Sequence, residues 1–211
     1  MFQYIVIEGP IGVGKTSLAK LLAKEFNARC VLEKPEENPF LSHFYQDRKK
    51  HAFQTQVFFL LTRFQQQQQI AQLDLFNQVT LSDYLFEKDR IFALLNLDEN
   101  ELILYEKIFQ LLEGRIPTPD LVILLQAKPE VLLHRIKSRN ISYEKEIELD
   151  YLKRLTEAYN YFFFHYDQSP LLVVNTSEID FVKRKEDLAQ LLREIKRMKK
   201  GTWYFTPMQS K

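Results

Sequence analysis

Gly9-Pro10-Ile11-Gly12-Val13-Gly14-Lys15-Thr16 decides the fold. The segment satisfies G-x-x-x-x-G-K-[ST], with a short run of strand formers, Tyr4 to Ile7, before it and a stretch of helical periodicity, from about Ser17 to Phe26, after it. Glycines allow successive N–H groups to turn inward round a phosphate, and the start of the following helix adds its partial positive charge. Lys15 is spaced to reach the β and γ phosphates, and the Thr16 hydroxyl to ligate Mg²⁺. Gly9, Gly12, Val13, Gly14, Lys15, Thr16 and Ser17 therefore form the expected phosphate cradle, with ATP and Mg²⁺ as the implied ligands. A tight turn with a chance lysine is the alternative. It leaves unexplained why three of the chain's five glycines fall within six positions.

Outward from this loop, further short apolar runs occur at Cys30 to Leu32, Val79 to Leu81, Leu121 to Leu125 and Leu171 to Val174, separated by longer stretches of helical periodicity. Leu188, Leu191, Leu192 and Ile195 recur at helical spacing with Lys and Arg on the other face. Strands alternating with helices predict an α/β fold with a parallel sheet, here five-stranded, in a single domain spanning 1–200. The Gln65 to Gln69 run lies within a helical pattern from about Phe53 to Phe76 and reads as solvated helix surface. Residues 201–211, with Trp203, Tyr204 and Phe205, form a tail that packs on the body or frays. Gly114 and Gly201 read as ordinary helix ends.

Composition excludes more than it selects. At 45% hydrophobic and 27% charged, the chain is neither a disordered tract nor a collagen, and its single cysteine, Cys30, rules out a disulfide scaffold and fits a reducing, cytoplasmic setting. The 29 basic and 28 acidic residues leave a net charge of +1, so no global field attracts nucleic acid or a membrane surface. Val57 to Leu61 and Leu121 to Leu125, the longest apolar runs, fall far short of the roughly 20 residues of a membrane span, and no charged leader precedes Tyr4. Nucleic acid and membrane are thus not expected partners.

A phosphate loop serves hydrolases and kinases alike. The guanine-reading element N-K-x-D is absent, whereas the requirements of a kinase, an acceptor carboxylate, groups that read the acceptor and basic residues that close over the phosphoryl, all have candidates. Glu33 follows the second strand, where side chains point into the ligand crevice of a parallel sheet; an exposed acidic turn is the other reading, and suits Glu36 and Glu37. Gln56 and Arg63 stand two helical turns apart on a face shared with or flanked by Phe53, Phe59 and Leu60. A nucleobase would satisfy both polar groups, as would protein carboxylates or water. Asp83 ends the third strand, a place for an acid that binds Mg²⁺ or its waters; Asp89 can pair with Arg63; either can instead cap a helix. Arg135 and Arg139, one helical turn apart before the polar stretch Asn140 to Glu148, suit a lid at about 137–148, or an ordinary basic surface.

Together these residues resemble the deoxyribonucleoside kinase family, in particular its bacterial deoxyadenosine and deoxyguanosine kinase branch. The resemblance rests on Gly9 to Thr16, Glu33 through Asn38-Pro39 and Phe44-Tyr45-Gln46, the Gln56 and Arg63 spacing, Asp89-Arg90 before Ile91-Phe92-Ala93, and His134-Arg135-Ile136 with Leu149-Asp150-Tyr151-Leu152 beyond. It implies a P-loop kinase fold with strand order 2-3-1-4-5, helices on both faces and a lid. It further implies that Glu33 is the general base for the substrate 5′-hydroxyl, and that Tyr45 and Glu144 hold the 3′-hydroxyl. Gln56 would read the base, with Arg63 and Asp89 as the pair that completes its recognition. Lys15, Arg135 and Arg139 would stabilise the phosphoryl, and Thr16 and Asp83 would hold Mg²⁺ directly or through water. The Arg63 and Asp89 pair and the bulky Phe59 imply deoxyadenosine or deoxyguanosine rather than thymidine.

Two positions depart from the family pattern. Tyr84 and Ile141 stand where arginines are customary, so compensation is expected, for instance from Lys137 or Lys145. The family also implies a homodimer, with helices around Phe53 to Phe76 and Ile91 to Leu112 as its interface; Tyr159 to Tyr166 could equally be core. Two rival functions remain: a nucleoside monophosphate kinase of the thymidylate kinase type, against which Glu33 would repel the acceptor's phosphate, and a P-loop regulator without phosphotransfer.

Overall fold

The computed structural model describes residues 2–73, 79–181 and 184–206. Six strands, β1 (Tyr4–Glu8), β2 (Arg29–Val31), β3 (Thr80–Ser82), β4 (Leu121–Gln126), β5 (Leu171–Asn175) and β6 (Thr202–Phe205), pair in parallel in the order β2-β3-β1-β4-β5-β6. The five expected strands stand in the expected order. The sixth is a correction: the tail continues the sheet. Gly201, at φ +80°, does not end a helix but turns the chain into β6, and its carbonyl accepts from the Leu171 N–H at 3.1 Å. Left-handed φ at this point suits glycine alone among common residues.

The central strands β1 and β4 are apolar almost throughout because helices cover both faces of the sheet. These helices are α1 (Lys15–Phe26), α2 (Leu41–Gln46), α3 (Arg48–Leu73), α4 (Lys88–Asn96), α5 (Glu99–Glu113), α6 (Pro129–Arg139), α7 (Leu149–Phe164) and α8 (Lys185–Arg197). Expected α3 residues 74–76 lie outside the described residues, as do 207–211 of the tail. From Tyr159 to Tyr166 the chain is core and surface at once: Tyr159, Phe163 and Tyr166 point inward, while Tyr161 and Phe164 are exposed, as helical spacing dictates. The glutamine run is helical but not uniformly solvated. Gln67 is fully buried, its amide hydrogen-bonded with the Tyr4 hydroxyl at 3.0 Å. A second apolar cluster, Leu60, Phe86, Ala93, Tyr105 and Phe109, fills the space between α3, α4 and α5. Among the described residues no helix is long and apolar enough to cross a membrane.

Two features fix the phosphate loop. Glu8, fully buried at the end of β1, accepts from the Gly9 N–H at 2.7 Å, the Leu85 N–H at 2.7 Å and the Tyr159 hydroxyl at 3.1 Å, so one carboxylate ties loop, β3–α4 connection and α7 together. Gly12, at φ +84°, lies against α6: a Cβ there would stand 2.7 Å from Ile136 Cγ1 and 2.9 Å from the Leu132 carbonyl.

Candidate active site

A cavity of about 460 Å³ opens at the carboxyl ends of β1, β2 and β3. Its wall includes Lys15 and Thr16 from the loop, Glu33 after β2, Tyr45 on α2, Gln56, Phe59 and Arg63 on α3, Asp83 after β3, and Arg139 and Glu144 from the lid. Most of the sequence-predicted residues therefore converge. Crevices outside strand carboxyl ends are where parallel α/β sheets bind ligands.

At the loop, the Lys15 ammonium donates to the carbonyls of Gly9 at 2.7 Å and Pro10 at 3.2 Å. Burial, reinforced by the nearby Lys88 cation, lowers its pKa to about 8. Phosphate would favour the charged form, so ATP binding should take up a proton above that pH. The expected result is an ATP affinity that is flat below pH 8 and falls by up to about tenfold per unit above it. Calorimetry in buffers of different ionisation enthalpy measures both the affinity and the proton. An affinity constant from about pH 7 to about pH 10 would show that Lys15 does not titrate there.

At the opposite side of the loop, Thr16 Oγ1 donates to Asp83 Oδ2 at 2.5 Å, and Asp83 Oδ1 accepts from the Glu33 N–H at 2.7 Å. Asp83 thus joins the loop to the acceptor carboxylate. A hydroxyl and a carboxylate oxygen side by side are hard donors of the kind Mg²⁺ takes in one or two positions beside phosphate oxygens.

Glu33 is held by two cations. Its Oε1 accepts from Arg63 Nε at 2.8 Å and Nη2 at 2.6 Å, and its Oε2 from Lys88 Nζ at 3.0 Å. Burial alone would raise the carboxyl pKa; Arg63 and Lys88 outweigh it and hold Glu33 well below the usual carboxylate range. Arg63 also meets Asp89 Oδ1 through Nη1 and lies over the Phe59 ring, 4.8 Å from its centroid. Asp89 itself does not line the cavity. It is fully buried behind Arg63, accepting from the Tyr105 hydroxyl at 2.8 Å, and its main-chain carbonyl accepts from Gln56 Nε2 at 2.9 Å. The expected pair forms, and Asp89 holds two side chains of the cavity wall, Arg63 through its carboxylate and Gln56 through its main-chain carbonyl.

The segment expected as a lid, about 137–148, takes in the end of α6 and the turn that follows. Asn140 adopts φ +51°, which stops the helix and reverses the chain into a short 3₁₀ turn, Ser142–Glu144. Glu144 thereby returns to Arg139, with contacts of 2.6 Å to Nε and 2.5 Å to Nη2. Burial raises the Glu144 pKa against the opposing pull of Arg139. Tyr143 stacks on Tyr45 with ring centroids 6.1 Å apart, which closes the lid over α2. Arg135 departs from the expectation. Its guanidinium donates to the carbonyls of Val13 at 3.2 Å, Thr176 at 2.7 Å and Ile179 at 3.4 Å, so it braces the back of the loop instead of facing the cavity with Arg139. Lys137 and Lys145 are exposed and outside the cavity wall.

The family model for deoxynucleoside kinase matches residues 5–199. The chain belongs to the deoxynucleoside kinase family. It is an ATP-dependent deoxynucleoside kinase with a P-loop kinase fold. Among curated relatives, deoxyguanosine kinase of Bacillus subtilis is 35% identical over 92% of this chain and 97% of its own length. Deoxyadenosine kinase of Dictyostelium discoideum is 40% identical over 90% of this chain and 78% of its own. A solved structure of deoxyadenosine kinase from M. mycoides with dCMP and dCDP bound superposes with a TM-score of 0.81 at 26% identity, covering 92% of this chain and 99% of that one. Within this kinase, two site features escaped sequence reasoning: the bridge from Glu33 through Arg63 to Asp89, and Lys88. A buried lysine at a helix start carries no motif, and only its spacing from Asp83 hinted at the cavity.

Proposed function

We propose that the chain transfers the γ-phosphoryl of ATP to the 5′-hydroxyl of a purine deoxynucleoside, deoxyadenosine or deoxyguanosine. The observation that carries this reading is the line Glu33–Arg63–Asp89, in which two side chains of the cavity wall are tied to an acid buried behind it. Glu33 accepts the 5′-hydroxyl proton as the new bond forms. Gln56 and Arg63 face the base, their orientation set by Asp89, and Tyr45 with Glu144 takes the 3′-hydroxyl. As Glu144 turns to that hydroxyl, Arg139 is released toward the phosphates, where it acts with Lys15. Alignment and charge neutralisation supply most of the rate. Thr16 and Asp83 would hold Mg²⁺, directly or through water, and the ion when bound would neutralise phosphate charge.

Assays against the four deoxynucleosides and their monophosphates test the reading. A kcat/KM for deoxyadenosine or deoxyguanosine at least about tenfold above that for thymidine is expected, since a site built to hydrogen-bond a base edge rejects one that leaves its groups unpaired. Transfer to monophosphates alone would favour the thymidylate kinase type, and transfer to none a regulator.

The same reading includes a homodimer in a reducing cytoplasm. Leu94, Ile103, Leu104 and Leu111 on α4 and α5 are exposed, as are Tyr161 and Phe164 on α7, and a partner subunit would cover them. Sedimentation at micromolar concentration should give about twice the 25.2 kDa chain mass. A single species at the chain mass would exclude the dimer.

A further inference from the structure

Tyr84 occupies the end of β3 where an arginine was expected, and its ring is fully buried. Lys88, at the first residue of α4, lies with its ammonium 5.8 Å from the centroid of that ring and reaches the cavity from beneath it. Its side chain is 3% exposed, and among the described residues Glu33 Oε2 is its one hydrogen-bond acceptor. Burying an ammonium costs several kcal/mol unless a counter-charge offsets it. Glu33, however, already has a two-point partner in Arg63. That partner is shared with Asp89, so Lys88 is the one cation that Glu33 holds alone. Lys88 and Lys15 both line this cavity. Two cations set against each other at one end of a cavity, with a carboxylate between them and the base side, leave a place for an incoming anion.

We infer that Lys88 is a positioning residue for phosphoryl transfer: it aims Glu33 Oε2 at the acceptor hydroxyl and places the missing positive charge beside the phosphoryl path. This rests on the proposed function. In the step, the 5′-oxygen forms a bond to the γ-phosphorus, the bond from that phosphorus to the β,γ-bridging oxygen breaks, and ADP leaves with the bond's electron pair. The hydroxyl proton passes to Glu33. Once Glu33 is neutral its hold on Lys88 weakens, and the ammonium's charge turns to the phosphoryl oxygens as negative charge gathers there.

The test uses the full chain with Lys88→Met, Lys88→Gln and Lys88→Arg. In Lys88→Met, kcat should fall about 100-fold while ATP affinity stays within about threefold. The KM for the nucleoside should stay within about threefold, because Gln56 and Arg63 keep their partners at Asp89. Lys88→Arg should recover at least about a tenth of the wild-type kcat. If Lys88→Met does not fold, Lys88→Gln, which keeps a donor without charge, carries the same expectations. A folded Lys88→Met or Lys88→Gln enzyme with kcat within about threefold of wild type, or one whose loss lies in KM and is not recovered by Lys88→Arg, would overturn the inference. Failure of the wild-type enzyme to phosphorylate any deoxynucleoside would instead remove the proposed function.

Discussion

Glu33→Gln should lower kcat by about 100- to 10,000-fold while leaving ATP affinity nearly unchanged. The amide keeps the shape of the side chain but cannot take a proton. ATP meets Lys15 and the loop on the far side of Asp83, so its binding is insulated from the change. The variant should also be less stable, because Arg63 and Lys88 would face a neutral group in a nearly closed site. The sign with pH follows from the depressed Glu33 pKa. Glu33 contributes stability above its unfolded pKa of about 4.3, and that contribution is lost as pH falls from there toward the folded value. The gap between wild type and variant should therefore narrow on acidification. Steady-state kinetics with urea unfolding at several pH values checks each part, and wild-type turnover in the variant would remove the base assignment.

Asp89→Asn should have the largest effect on stability, about 3 kcal/mol. Asp89 is fully buried and its acid balances Arg63 on the side away from Glu33, so an amide leaves a buried guanidinium with half its counter-charge. Arg63 keeps Glu33, which places the loss at the lower end of the range for broken buried pairs. The KM for nucleoside should rise more than kcat falls, because Arg63 loses the carboxylate that orients it, while Gln56 keeps the main-chain carbonyl of residue 89. Tyr105→Phe serves as the control: it removes one hydrogen bond to Asp89, for about 1 kcal/mol, without touching the charge. Equal losses in the two variants would mean that packing, and not charge balance, dominates the site.

The strands and the residues after them were legible in sequence because phosphate loops and buried parallel strands constrain composition locally, whereas the strand order came from the family resemblance. β6 was not, because its own side chains are mostly exposed, so burial imposes no pattern on them although the strand pairs with the buried β5. Asp89 and Arg63 were candidates for a pair, which the family resemblance implied; they stand on different helices, and the third member, Glu33, follows β2 and adds a contact that spacing cannot reveal. Arg135 and Arg139 look alike in sequence. One turn of helix separates a side chain that meets loop carbonyls from one at the helix end that turns with the lid.

The close approach of Gly12 to Ile136 and Leu132 divides the lid into a fixed part and a moving part. With no room between loop and helix, α6 cannot rock without dragging the nucleotide cradle with it. A lid of the proposed kind would open by pivoting at the left-handed Asn140, and hydrogen exchange that exposed α6 together with the following turn would contradict this. In that proposal the swinging element is about eight residues of chain, light and short-levered, on an anchor registered to the phosphate cradle.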